Sequence, residues 1–387
     1  MTERWDMVVV GAGPAGSAAA LGALNADPDL RVLILDRSDF PRDKACGDGV
    51  APHVLDVLSD VGVHGLLDDR VPVRRLRLEH AGTAVSRDMA RPAFVVPRTV
   101  LDVRLLDSAL AAGASFRRHR VRSVREESGC AVLDDTIHAT TVVFADGARS
   151  SLGPALRAPR SHSALAMRGY APVLPAHRGQ QVIVFGSSRQ PSYAWSFDIG
   201  DGRANVGYGE LLRPGRPAPS RPLLLRQLDE LLPGCGDDGS DWRGHHLPLS
   251  SWSWNQPDGR ILLVGDAAGL INPMTGEGIY YAVATGVLAG RSAVSSLRAD
   301  HGRTAGARHR RAVRSLLGRH LKHTTVAARL VRVPAVVHAG VRAAARDQAV
   351  FDDLVEVGLG RGRLTATVIR GLGTELVSRA QWRNCGS

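Results

Sequence analysis

The chain has 387 residues, a net charge of +11 and four scattered cysteines, which gives it the length for two or three lobes and a large core but no spacing for a disulfide framework or a zinc site. Only Lys44 and Lys322 among the 49 basic residues are lysines, and the arginine excess comes without a zinc finger, basic zipper or RNA-binding aromatic motif, so composition argues against a nucleic-acid partner. No apolar run reaches the roughly 18 residues that span a bilayer and no basic-then-apolar leader precedes Val8, which predicts a soluble, cytoplasmic chain.

In chain order, residues 7–10 read as a buried strand, and Gly11-Ala-Gly13-Pro-Ala-Gly16 turns from it into an alanine-rich helix. This is the strand, turn and helix setting of a dinucleotide-binding loop. Gly11 permits the tight turn, Gly13 lets backbone approach a pyrophosphate, and Gly16 lets the helix pack close to the strand. Asp36 ends a second apolar run at 32–35, where an acid would accept hydrogen bonds from the adenosine ribose.

Short runs at 74–79, 164–170, 181–185, 193–199 and 203–207, separated by Gly, Pro, Asp or Ser, predict an antiparallel sheet facing the cofactor. Tyr193 and Trp195 alternate on one strand face, which suits either core filling or a pocket wall. His53, His245 and His246 show no metal spacing and read as structural; no metal site is expected.

Further on, 261–264 reads as a buried strand that ends at Gly265-Asp266, where a carboxylate can bind ribityl or ribose hydroxyls. Asn272-Pro273 predicts a turn, and Gly276-Glu277-Gly278 begins a helix over 279–289 whose N-terminal amides suit the negative charge of a reduced flavin. Paired with the upstream glycines, this block frames a bound FAD. From 301 to 346 there are ten arginines, one lysine, five histidines and no acid, with Val313, Leu316, Leu317 and Leu321 on one helical face. That pattern fits a helix packed on the flavin domain with a solvated basic face, or a surface for an anionic membrane or a diphosphate group. Pro334 should interrupt it.

These residues resemble the flavoproteins of p-hydroxybenzoate hydroxylase fold, and within them the geranylgeranyl reductase family. Residues 40–49, which contain Lys44, Cys46 and Gly47, resemble the reductases' loop beside the isoalloxazine with its functional cysteine; Arg98 corresponds to a cofactor-contacting arginine. Residues 145–150, with Asp146, resemble the second fingerprint associated with flavin and nicotinamide, and Pro191-Ser-Tyr193-Ala-Trp195-Ser-Phe197 resembles the motif that lines an isoprenoid cavity. The resemblance implies an α/β fold in which 1–72, 98–155 and 258–300 bind FAD, 73–97 and 156–257 form the substrate domain, and 301–387 form C-terminal helices. It further implies cofactor contacts from Ala15 and Arg37, substrate contact from Pro273, and Cys46 as the catalytic thiol. NAD(P)H would be the reductant and a lipophilic small molecule the substrate. Two reactions suit this frame: saturation of carbon-carbon double bonds in an isoprenoid, or oxygen-dependent hydroxylation or epoxidation of a terpenoid or aromatic compound. Trp252-Ser-Trp254 resembles a halogenase signature, but it lies beside the flavin strand, and neither lysine suits the halogenating role.

Overall fold

A computed structural model describes residues 3–384 except 128, 149–162, 214 and 216. Arg149 and Ser150 of the second fingerprint, Cys385 and the expected lobe boundary at 155–156 lie outside the described residues.

The apolar runs assemble into one sheet. Glu3–Val10 lies between Val32–Asp36 and Ile137–Phe144, all parallel, and Ile261–Leu263 adds to the far side of Ile137–Phe144. Parallel strands covered on both faces need continuous apolar sequence, and every residue of Val32–Asp36 and Ile261–Leu263 is buried. The second of these strands stops one residue short of the expected end: the Val264 N–H still donates to the Phe144 carbonyl at 3.1 Å, and the chain then turns at Gly265.

Helix α1 (Pro14–Ala26) is buried over almost its whole surface because it is clasped by a second helix. α3 (Arg98–Ala111) packs on α1, α2 (Pro52–Ser59) packs on the helix that clasps α1, and α4 (Arg221–Leu231) packs behind a second sheet. The helix expected at 279–289 runs on as α5 (Ile279–Asp300) and crosses α1 at glycines. A Cβ on Gly286 or Gly290 would collide with the α1 backbone, which explains the run of small residues in both helices.

The second sheet follows the order Ser240–Pro248, Ser163–Pro172, Arg203–Leu211, Ser192–Asp198, Gln180–Phe185, Val73–His80, Thr83–Val95 and Gly49–Val50. One neighbour pair departs from the antiparallel expectation: Val73–His80 runs parallel to Gln180–Phe185. No hairpin joins these strands, because much of the first sheet intervenes in the chain, so turn geometry does not dictate their direction.

The basic segment forms α6 (Ala305–Leu330), which buries Val313, Leu317 and Leu321 against the flavin-side core. It stops before Pro334, which begins α7 (Pro334–Arg346) at a position where a missing N–H costs nothing. α8 (Gln348–Leu359) and α9 (Ala366–Asn384) complete the region. None of the described helices is long and apolar enough to cross a membrane.

Candidate active site

A cavity of about 900 Å³ runs between the two sheets, toward the upper end of the size range for small-molecule and cofactor sites. Among the candidate residues, Gly11, Gly13, Ala15, Asp36, Arg37, Lys44, Cys46, Gly47, Arg98, Asp146, Asp266, Gly276, Gly278, Tyr193, Trp195, Phe197 and Pro273 all line it. Gly16 and Gly265 do not; they act behind the wall.

At one end, Gly11 adopts φ +107° so that its N–H can donate to the Leu35 carbonyl at 2.7 Å, and the Ala12 N–H donates to Asp36 Oδ2 at 2.9 Å. Asp36 is thereby tied to the glycine turn. A side chain on Gly16 would fall onto the Gly11 carbonyl, so Gly16 serves helix-to-strand packing. Gly13 differs. No backbone crowds it, and a Cβ there would point at Arg42 Nη2, 3.1 Å away, and at Arg98. Arg98 is buried and bidentate on Asp102 at 2.6 and 2.9 Å; Arg42 reaches the same Asp102 at 3.3 Å. A helix N-terminus and two guanidinium groups thus surround a bare glycine, an arrangement whose chemistry suits an anion. Arg42 was not singled out from sequence; only the fold brings it over Gly13.

Near the middle, Lys44 Nζ donates to Asp266 Oδ2 at 2.7 Å, and His245 Nε2 lies 3.9 Å from the same oxygen. Burial opposes ionisation of Asp266, but the Lys44 charge and hydrogen bond outweigh it and lower its pKa. His245 read as structural from sequence, yet it lines the cavity beside this carboxylate.

Cys46 sits on the same cavity in a loop held by side chains far along the chain. Asn205 Nδ2 donates to the Cys46 carbonyl and to Asp48 Oδ2, both at 2.8 Å, while Asn205 Oδ1 accepts from the Trp195 indole N–H at 2.8 Å. Tyr170 also donates to Asp48 Oδ2, at 2.6 Å. Asp48 itself takes a left-handed conformation, φ 59°. Burial pushes its carboxyl up to about 6 despite these donors, and burial pushes the Cys46 thiol up to about 11 against the opposing charge of Arg98. Both groups are thus biased toward their protonated forms.

The opposite wall is aromatic. Tyr193, Trp195 and Phe197 share one strand face, with ring centroids 5.8 and 6.4 Å apart, and a Cβ on Gly47 would stand 3.5 Å from the Phe197 ring. Tyr193 donates to the Thr275 carbonyl, which joins this wall to the 272–278 loop. Asn272 Nδ2 donates to the Val357 carbonyl at 2.9 Å and so pins that loop to α8. Glu277 caps α5 by accepting from the Tyr280 N–H at 2.8 Å, and its exposed face is turned to the cavity. Burial pushes its carboxyl up to about 7 in spite of that amide.

Two features lie apart. Trp252 and Trp254 are absent from the cavity wall, and Trp254 packs on His309. Glu127, Cys130 and His138 are brought within metal-ligand reach of one another on adjacent strands, a grouping their sequence spacing conceals; Glu127 is exposed and none of the three lines the cavity.

The chemistry of the residues fits FAD: a bare glycine under two arginines suits phosphate, and the Asp36 and Asp266 carboxylates that line the same cavity suit sugar or ribityl hydroxyls. The lycopene cyclase protein family matches residues 6–171. Menaquinone reductase of Mycolicibacterium smegmatis is 36% identical over 318 residues, covering 75% of this chain and 76% of that one. Digeranylgeranylglycerophospholipid reductase 1 of Methanopyrus kandleri is 32% identical over 323 residues, covering 77% and 82%. A geranylgeranyl bacteriochlorophyll reductase-like protein from Thermoplasma acidophilum superposes with a TM-score of 0.80 over 98% of this chain and 99% of that one, at 21% identity. Halogenase PltM solved with FAD reaches 0.70 over 99% and 93%, at 15% identity, which is a likeness of fold. The fold and site define an FAD-dependent oxidoreductase. The chain belongs to the geranylgeranyl reductase family of such enzymes.

Proposed function

We propose that the protein saturates carbon-carbon double bonds in the isoprenoid chain of a lipid, with NAD(P)H as reductant. The observation that carries this reading is one continuous cavity: beyond Cys46 and Tyr193 its wall becomes apolar, with Leu76, Ile183 and Phe185 of the sheet facing Val337 and Val341 of α7 and Leu372 of α9. A long hydrocarbon would fill it, and the relatives named for menaquinone and for digeranylgeranylglycerophospholipid point to the same chemical class.

FAD, once bound and reduced by NAD(P)H, would supply the hydride. The chain's own part is position, exclusion of water and the proton. The thiol of Cys46 is held protonated and lines the cavity in the loop next to the aromatic wall, so it can donate to the alkene carbon that does not receive hydride. A buried thiolate with so high a pKa takes a proton back readily. Glu277, on the same cavity and half protonated near neutral pH, is the reservoir. Asn205 holds the thiol's backbone and Trp195 in one frame, so the loop and the wall keep their spacing.

The test is anaerobic turnover of polyprenyl substrates with NADH and with NADPH, read by product mass. Saturation adds H2 with no need for oxygen. Cys46→Ser should leave FAD binding and flavin reduction near wild type and slow saturation at least about tenfold, the low end for removing a general acid being greater still. An oxygenated product, formed only in air and at an unchanged rate in Cys46→Ser, would establish the monooxygenase reaction instead.

A further inference from the structure

The cavity does not end at the apolar wall. Leu330, Val331 and Arg332, where α6 gives way to α7, form its far lining. Leu330 is also 40% exposed, so the cavity opens to the outside at this corner. Around the opening stand further exposed apolar side chains: Val326 at 47%, Val333 at 49%, Ile369 on α9 at 59%, and Trp252 at 63%. Trp252 belongs to the group because its backbone N–H donates to the Thr325 hydroxyl oxygen at 3.2 Å, next to Val326. Scattered exposed apolar residues are ordinary on a protein surface, but a cluster gathered on the mouth of an apolar cavity needs a partner.

Charge indicates which partner. Lys322 and Arg329 on α6, Arg332 in the turn after it, Arg363 in the loop before α9 and Arg370 on α9 are all exposed, and none makes an ion pair among the described residues. A second copy of this chain would set like charge against like. A nucleic acid would leave the valines, leucine and isoleucine in water. An anionic bilayer satisfies both kinds of side chain, with phosphate groups for the arginines and hydrocarbon for the apolar ring, and an exposed tryptophan suits the interface between them.

We propose that the α6–α7 corner, with Trp252 and Ile369, docks on an anionic bilayer and that the cavity opens there to admit a lipid chain directly from the membrane. The second half of this statement rests on the proposed lipid substrate; the docking surface does not. Contact is peripheral, since none of the described helices can span.

The experiment is flotation of the FAD-loaded protein with substrate-free vesicles, one set of phosphatidylcholine alone and one containing phosphatidylglycerol. Binding to the anionic set at low salt is expected, falling as salt shortens the screening length to about 8 Å at physiological ionic strength. The triple variant Trp252→Ser, Val326→Ser, Arg329→Ser changes only side chains outside the cavity lining; it should keep its FAD content and lose anionic-vesicle binding at least about tenfold. In the wild type, Trp252 emission should move to shorter wavelength with vesicles, and a Trp252→Phe control should lack that part of the change. No flotation at low salt, equal binding to both vesicle sets, or undiminished binding by the triple variant overturns the docking surface. Saturation of a detergent-dispersed substrate is measured in parallel. Activity without vesicle binding defeats the docking proposal alone, and vesicle binding without saturation defeats the reductase reading alone.

Discussion

Glu277→Gln should change how stability depends on pH. The unperturbed Glu277 carboxyl would titrate near 4.5, and burial in the folded chain pushes it up to about 7. Below about 4.5 the group is protonated in both states and contributes nothing. Between the two values the folded chain holds a proton that the unfolded chain has released, so stability falls as pH rises, and above about 7 the loss is complete. The span from 4.5 to about 7, at about 1.4 kcal/mol for each pH unit, amounts to about 3 kcal/mol. Glutamine keeps the oxygen that accepts from the Tyr280 N–H but has no proton to lose. Urea unfolding of the FAD-free wild type and variant across pH 4.5 to 8 should therefore show the variant gaining about 3 kcal/mol on the wild type. Asp48 titrates in both proteins and cancels in the difference, and the Cys46 thiol, pushed up to about 11, stays protonated in the folded chain throughout this range. Parallel stability curves would refute the reasoning and remove Glu277 as a proton reservoir at neutral pH.

Gly13→Val should give a folded protein that purifies without flavin absorbance, because the new side chain enters the space beneath Arg42 and Arg98, whereas Gly16→Ala should lower stability through its collision with the Gly11 carbonyl; a Gly13→Val protein that keeps its flavin spectrum would rule out phosphate binding there. Asn205→Leu leaves the Trp195 indole and the Cys46 carbonyl without their partner, at about 1 to 3 kcal/mol for each buried group. Its urea midpoint should fall, and saturation should slow more than flavin reduction does. Equal slowing of the two half-reactions would assign Asn205 a purely structural part.

The dinucleotide frame was legible because its demands are local. A turn with φ +107° at Gly11, a bare Gly13 beneath two arginines, and an acid at the end of the next strand each impose a residue type at a fixed short spacing, and continuous apolar runs mark strands covered on both faces. The alternation of Tyr193, Trp195 and Phe197 was equally visible, but whether the face filled core or lined a cavity depended on what came to lie opposite, and that was the loop carrying Cys46. Asn205 had no signal of its own: its partners Cys46 and Asp48 are 159 and 157 residues away in the chain. The parallel pairing of Val73–His80 with Gln180–Phe185 likewise follows from assembly of segments far apart in the chain rather than from any turn. Arg42 joined Arg98 over Gly13 through Asp102, and Glu277 acquired its raised pKa through burial. Short spacings in the sequence determined which backbone could receive a dinucleotide, since steric demands act between neighbours; the tertiary structure decided which side chains carry protons and where the cavity opens, since charge, burial and enclosure arise only when distant segments share one space.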